Sequence, residues 1–325
     1  MHCLHMVGRF DDPHTGAERS LPDLADALQG RRETALWSVV PPHPMFAARG
    51  VRVIDGEQGA GPTGGSLLIS GVHVRLDDWL DRAAPAQVIL RYNLPNHLRL
   101  FDAIARIREA TDRDPDLVFV SRAMQQSVAL PGRVEPSLIR LDRFLQVPVR
   151  RPARPLTVGR LSRDVIEKHS PDDVALYRSL AARGFRVRVM GGTCLQGALG
   201  SVPGLELLPA GAADAADFLA SLDVFFYRTG SFIEPYGRVV LEAMASGLPV
   251  VVAANGGFAE QIHPGQDGVL VQTQEQAMSA LLALAADETQ RHRMGEAARA
   301  TALRAHGPAA FEAIVENYTG QAGRR

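Results

Sequence analysis

Lysine is almost absent from this chain. Of its 35 basic residues only Lys168 is a lysine; all the others are arginine. Surface lysines have been replaceable throughout, which singles out the one position that keeps its ammonium. Cysteine is equally scarce. Cys3 and Cys194 lie in different halves, near no histidines at ligand spacing. That excludes a disulfide framework and a zinc site, and fits a reduced, cytoplasmic setting. Excess charge is missing as well: at a net charge of -1, no bulk attraction points to nucleic acid or an acidic polymer. No apolar run approaches the roughly 18 residues needed to span a bilayer. The start, Met1 to Met6, has neither the basic end nor the apolar core of a signal peptide. Repeats and low-complexity segments are lacking. Gly191, Gly192 and Gly197 do not have the Gly-x-Gly-x-x-Gly spacing of dinucleotide enzymes, so a dehydrogenase is a poor reading.

What is present is a chain of 325 residues, 46% hydrophobic and 22% charged, enough for about two folded domains. Apolar strands alternate with helical stretches through the first half. Strands are expected over Cys3 to Val7, Thr34 to Val40, Val51 to Ile54, Leu67 to Ser70, Val88 to Arg91 and Leu117 to Val120. Helices are expected over Ala17 to Gln29 and Leu98 to Ala110, and Gly56 to Gly65 reads as a loop. Such βα alternation implies a parallel sheet covered by helices. Between Phe144 and Pro155, prolines and arginines interrupt all periodicity, as in an interdomain hinge. A second alternation restarts at Leu156 and ends in helices over Gln274 to Ala286, Glu288 to Arg304 and Pro308 to Tyr318. The expected domains are 1–148 and 149–307, both α/β. For the terminal helix, 308–325, a return to the first domain is considered.

The most informative stretch runs from Ile233 to Val250. Seven residues separate Glu234 from Glu242, across a turn that opens a helix. Pro235 suits a helix entry, Gly247 and Pro249 supply the stop, and Val239, Val240, Ala243 and Met244 form an apolar face. Backbone N–H groups near Gly237 and Arg238, with the positive end of the helix dipole, make an anion site. Its neighbours are the strand Val224 to Tyr227, the strand Val250 to Ala254 and the turn Asn255-Gly256-Gly257. Glu234 therefore lies beyond the carboxyl end of a buried parallel strand, where open α/β sheets bind ligands. An anion site flanked by two carboxylates fits a nucleotide sugar. The competing reading is an amphipathic helix with solvated acids, where most glutamates sit. Lys168 follows Val158-Gly159-Arg160-Leu161-Ser162-Arg163 at one strand–loop corner, and an ammonium with a forked guanidinium there suits diphosphate neutralisation.

These elements carry a resemblance. Leu156 to Val271 resembles the donor-binding domain of retaining glycosyltransferases of family 4, which adopt the GT-B fold of two Rossmann-like domains about a cleft. The shared pieces are Val-Gly-Arg-Leu-Ser with Lys168, Val189-Met190-Gly191-Gly192, Asp223-Val-Phe-Phe-Tyr, and Glu242-Ala-Met-Ala-Ser-Gly-Leu-Pro-Val-Val. The first half is similar only at Thr15-Gly16-Ala17-Glu18-Arg19.

The resemblance implies transfer of a sugar from a nucleoside diphosphate to an acceptor hydroxyl with retention of configuration. It implies Arg160, Lys168 and the helix start at Gly237, Arg238 and Val239 on the diphosphate, Glu234 on the donor sugar and Glu242 on the ribose. It places Gly16 and Tyr236 in the donor pocket as well. The base is expected near Gly191, Gly192 and Thr193 and the loop Leu208 to Ala212. Asn93 and His97 are the candidates for the acceptor or sugar side, His97 also reading as a helix cap. Asp114-Pro-Asp116 matches the Asp-x-Asp of metal-dependent glycosyltransferases of the other major fold, but a solvated turn reads better. No metal and no cofactor are expected, the nucleotide sugar being a substrate.

The expected partners are that donor and a carbohydrate, lipid-linked or small-molecule acceptor, without nucleic acid or an integral membrane segment. Arginines from Arg140 to Arg154 could touch an anionic membrane surface, though prolines and acids among them favour a solvated hinge. A nucleotide-sugar epimerase of the same architecture and a non-catalytic sugar-nucleotide-binding protein stay open as alternatives.

Overall fold

The computed structural model describes residues 2–146 and 155–319. The core of the expected hinge, 147–154, lies outside the described residues. The chain forms two compact units, one of Met1–Ile139 with Ala309–Arg325 and one of Arg140–Pro308. Each is built on a parallel sheet.

In the first unit β1 (Leu4–Gly8), β2 (Thr34–Ser38), β3 (Arg52–Val53), β4 (Ser66–Ser70), β5 (Gln87–Tyr92), β6 (Asp116–Phe119) and β7 (Arg133–Val134) form the order β3-β2-β1-β4-β5-β6-β7. β1 and β4 are buried at every residue. Strands covered on both faces read as continuous apolar runs, which is why they stand out in the sequence. The helix Gly16–Ala27 packs on this sheet through Leu21 and Leu24. The terminal helix, Pro308–Glu316, and the turn after it complete the same unit. Ile314, Val315 and Tyr318 join its core, and Glu312 pairs with Arg31. Tyr318 also meets a buried pair: Arg91 reaches the Glu135 carboxylate at 3.0 Å, and the Tyr318 hydroxyl donates to it at 2.5 Å.

In the second unit β8 (Thr157–Leu161), β9 (Arg186–Met190), β10 (Leu205–Leu208), β11 (Val224–Tyr227), β12 (Val250–Ala253) and β13 (Val269–Val271) take the order β10-β9-β8-β11-β12-β13. The core between this sheet and its helices is built from Val158, Val189, Phe226 and Val251 with Leu176, Leu281 and Met294. The chain leaves β8 toward β10 on one side, then returns to pair β11 on the other. β8 and β11 therefore flank the switch point, where the following loops diverge and leave a crevice.

The helix after β11 is shorter than its sequence suggests, spanning Arg238–Ala245. Gly237 ends the preceding loop at φ 76°, a left-handed conformation that favours glycine. A Cβ there would lie 2.4 Å from Phe258 Cδ1, so the helix start is pressed onto that ring. Pro235 thus belongs to the loop and not to the first turn. Among the described residues no helix is long and apolar enough to cross a membrane.

Candidate active site

Lys168 and Glu234, 66 residues apart in sequence, meet beyond the carboxyl ends of β8 and β11. Lys168 closes a single 3-10 turn, Ile166–Lys168, and is 7% exposed. Its ammonium bonds Glu234 Oε1 and lies 3.6 Å from the centre of the Phe232 ring. The same carboxylate oxygen accepts the Tyr227 hydroxyl at 2.5 Å. Burial lowers the pKa of Lys168, against the attraction of Glu234. Burial likewise raises Tyr227 well above the usual tyrosine range. The Glu234 carbonyl accepts the Gly257 N–H at 2.9 Å, fastening the loop beside the turn after β12.

The helix start lies three residues on. The first N–H groups of the helix Arg238–Ala245 point out of its start and carry the positive end of its dipole. Glu242, 6% exposed, is one turn further, with Arg238 Nη2 at 3.9 Å from its carboxylate. Lysine ammonium, amide N–H groups and two carboxylates thus occupy one strand-end corner. That set can hold an anion and hydroxyl groups together.

Three expectations for this corner need correction. Arg160 does not project into it. Its side chain is fully buried, 4.5 Å from the Tyr227 ring, and donates to the carbonyls of Arg228 and Lys168 at 2.5 Å each. β8 is covered on both faces, so an arginine within it must find acceptors inside. Tyr236 is buried as well; its hydroxyl meets His306 Nε2 at 2.6 Å, and the rings cross edge to face. It anchors the loop, and its side chain cannot reach a ligand there. Gly191 and Gly192 both donate their N–H to the Leu208 carbonyl, at 2.8 and 3.1 Å, so those amides are spent on the loop itself. Gly191 is needed for closeness: at φ 78° a Cβ would sit 2.0 Å from the Ser162 carbonyl oxygen.

The first unit has its own switch point, between β1 and β4, and polar groups gather there. Gly16 opens the helix after β1, and Glu18 in its first turn is 2% exposed. His73, which the sequence reading missed, follows β4 and lies 3.4 Å from Glu18 Oε1 through Nε2. Asn93, after β5, donates to Ser70 Oγ at 3.2 Å. Glu18 Oε2, His73 Nδ1 and Asn93 Oδ1 are all buried without a hydrogen-bond partner. His73 and Asn93 flank Gly71, whose Cβ would lie 2.7 Å from His73 Nδ1 and 2.8 Å from Asn93 Oδ1. A buried unpaired polar atom costs about 1–3 kcal/mol, so such a group favours hydroxyl partners. His97 is not part of it: it is exposed at the start of the helix His97–Thr111, and Asn96 supplies the cap by accepting from Arg99 N at 3.1 Å. Its position after a strand end was the signal for His73, which no motif marked.

The Asp-Pro-Asp carboxylates are engaged elsewhere, Asp114 by Arg108 and Asp116 by Gln87 Nε2 at 2.7 Å. A cavity of about 760 Å³ opens at the amino ends of the first sheet, lined by Arg32, Gln87, Asp116 and Arg133 among others. Arg32 is bound there to the carbonyls of His2 and Tyr318, and Gln87 to Asp116. This cavity is at the end opposite the switch point.

Known proteins give the corner a context. Residues 208–301 match the family described as glycosyl transferases group 1. A D-inositol 3-phosphate glycosyltransferase of Nocardia farcinica is 37% identical over 91 residues, 27% of this chain and 20% of that protein. A GDP-mannose-dependent alpha-mannosyltransferase of Mycolicibacterium smegmatis is 34% identical over 115 residues, 35% of this chain and 30% of that one. The matches thus span a third or less of those relatives' length. Two solved structures are similar over the whole chain. Anabaena Alr3699/HepE in complex with UDP and glucose has 17% identity and a TM-score of 0.74, with 100% of both chains covered. Sucrose-phosphate synthase from Thermosynechococcus elongatus has 16% and 0.73, with 100% of this chain and 98% of that one covered. The segment 208–301, which holds Glu234, Glu242 and the helix start between them, is thus the part of the chain that matches the group 1 glycosyl transferases, and the chain has the GT-B fold.

Proposed function

We propose that this protein is a glycosyltransferase that moves a sugar from a nucleoside-diphosphate sugar to an acceptor hydroxyl, with retention of configuration. The observation that carries the reading is the Lys168–Glu234 pair beside the Arg238–Ala245 helix start, at the switch point of the second sheet. Relatives named for GDP-mannose and a neighbour holding UDP support the donor class.

In this reading the helix-start amides and Lys168 bind the diphosphate, Glu242 takes the ribose hydroxyls, and Glu234 takes hydroxyls of the transferred sugar. The bond from the anomeric carbon to the leaving phosphate oxygen breaks, and the bond to the acceptor oxygen forms on the same face. The acceptor proton passes to the departing diphosphate, so no protein nucleophile is needed. Catalysis then consists of stabilising charge that develops on that diphosphate, in a place where donors are already fixed. No metal ion is required, because Lys168 and the helix end supply the positive charge.

The test is a thermal-shift panel of nucleoside diphosphates and nucleotide sugars. A ligand at 100 times its dissociation constant adds about 2.7 kcal/mol of stability. The stabilising sugar nucleotide is then incubated with candidate acceptors and the product anomer assigned by NMR. Donor turnover without any acceptor would indicate an epimerase instead, and binding without transfer a non-catalytic role.

A further inference from the structure

Behind the Lys168–Glu234 corner lies a buried ion pair that the transfer chemistry does not use. Asp173 opens the helix Asp173–Ala182 and is fully buried. Arg228, the first residue past β11, is buried as well, with its Nη1 3.3 Å from Asp173 Oδ1. Neither of these atoms has a hydrogen-bond partner, and nor has Asp173 Oδ2. Charge alone therefore holds the pair, and a buried pair of that kind fails if one partner becomes neutral. Arg228 Nη2 donates to Ser170 Oγ at 3.2 Å and lies 3.6 Å from the exposed Asp172 carboxylate.

The pair joins the two segments that bring Lys168 to Glu234. On one side the Asp173 N–H donates at 3.0 Å to the carbonyl of Ser170, which follows the Lys168 turn. On the other, Arg228 leads into the loop that holds Glu234. Gly230 and Phe232 of that loop donate their N–H groups to the Glu167 carbonyl at 3.1 and 3.2 Å, and Phe232 carries the ring against which Lys168 Nζ rests. A movement of Arg228 is therefore passed to both members of the corner. The charged and titratable groups around the pair are Arg160 in β8, Asp172 beside it on the chain and the Tyr177 hydroxyl one turn along the helix. Glu275, at the start of the helix Gln274–Ala286, is within electrostatic reach of Arg228. Burial raises the Asp173 carboxyl to about 7, against the pull of Arg228 and Arg160, so it changes charge near neutral pH. His169, next to the Lys168 turn, is lowered by burial to about 4 and does not.

We propose that Asp173 and Arg228 form a proton-operated latch on the Lys168–Glu234 corner. With Asp173 ionised, Arg228 is held against the helix Asp173–Ala182, and the loop to Glu234 is drawn onto the Lys168 turn. With Asp173 protonated, Arg228 keeps only Ser170 and the exposed Asp172, and the loop is released. Asp173 is thus a positioning residue that acts through Arg228. Its effect on a sugar donor rests on the reading of this corner as the donor site; the latch itself does not.

Lys168 is the one lysine of the chain, so protein made with carbon-labelled lysine gives a single side-chain Cε signal in NMR. In the wild type that signal should shift with an inflection near pH 7. In Asp173→Asn, a permanently neutral form, the inflection should vanish, and in Asp172→Asn it should persist. Arg228→Gln should move it to higher pH, because the guanidinium that pulls the Asp173 carboxyl down is gone. A wild type without the inflection, or an inflection that survives in Asp173→Asn, overturns the proposal. If Asp173→Asn does not fold, an inflection left unmoved by Arg228→Gln does the same. Calorimetric titration with UDP and GDP reads the consequence for the site. The diphosphate that binds should bind Asp173→Asn about fivefold to tenfold more weakly than the wild type at about pH 8, and nearly equally at about pH 6, where both side chains are neutral. The ligand's own protonation is common to both proteins. Equal affinities at the higher pH would show that the latch does not act on the donor site. Binding of neither ligand, with the Asp173-dependent inflection present, would overturn the donor reading and leave the latch standing.

Discussion

Tyr227 donates its hydroxyl to the very oxygen of Glu234 that Lys168 holds, at 2.5 Å, from the last residue of β11. A buried strand residue therefore fixes the position of a loop carboxylate. Tyr227→Phe should lower stability by about 1 kcal/mol through loss of one hydrogen bond. Turnover of a sugar donor should fall roughly tenfold as Glu234 loosens, with affinity for the sugar-free diphosphate unchanged. Equal losses for diphosphate and sugar donor in titration would show that Tyr227 acts on the phosphate end.

Lys168→Arg keeps the charge and copies the residue that this chain otherwise uses. On a solvated helix the swap would change stability by less than about 0.5 kcal/mol and leave activity intact. Here the ammonium is buried between Glu234 and the Phe232 ring. A planar guanidinium cannot occupy the same point. Turnover should fall by about tenfold or more, each tenfold being about 1.4 kcal/mol of transition-state stabilisation. Wild-type turnover in this variant would remove Lys168 from the reaction.

Glu242→Ala should act on binding. Ribose contacts are alike in ground and transition states, so the Michaelis constant should rise while turnover is retained. The loss corresponds to about 1.5–3 kcal/mol. Collapsed turnover with an unchanged Michaelis constant would contradict the assignment.

Acid should destabilise the second unit in a countable way. Burial lowers His169 from 6.5 to about 4 and His306 from 6.5 to about 3. Burial raises Asp173 from 3.8 to about 7, against the pull of Arg228 and Arg160. Between these limits the unfolded form holds two histidine protons and the folded form one, on Asp173. The unfolded form binds one proton more (2 − 1), so stability rises with pH from about 4 to 6.5, by roughly 1.4 kcal/mol per unit. His306→Gln, which can still meet Tyr236, should remove that one-proton slope. Denaturant titrations across this range check it, and identical slopes in variant and wild type would exclude His306 as a contributor.

Transfer should persist in excess chelator, since the positive charge is supplied by side chains and a helix end. Complete loss restored by a divalent cation would reverse this and return attention to Asp114 and Asp116.

The sheets were legible in the sequence because parallel strands buried on both faces are uninterrupted apolar runs, as in Val224 to Tyr227. β7, two residues long with an arginine in it, gave no such signal. Glu234 and the helix after it could be placed by the order of strand, loop and turn. The contact of Lys168 with Glu234 could not, because periodicity carries no information about loops 66 residues apart. Arg160 shows what sequence order alone leaves out. Gly-Arg-Leu reads as a strand–loop corner, whereas it lies within a covered strand and its guanidinium is taken up by carbonyls. His73 stood in a loop without a motif, and only the fold brings it to Glu18 and Asn93.

The first unit is interrupted in sequence by the whole of the second. Residues 140–308 are added during synthesis before Ile314, Val315 and Tyr318, which complete the core around Leu4 and Phe10. The amino-terminal sheet therefore keeps part of its apolar surface open until those last residues reach it. A chain cut short before Ile314 should carry an unfinished first core beside a second unit that has all of its strands. The first unit is thus begun first and completed last.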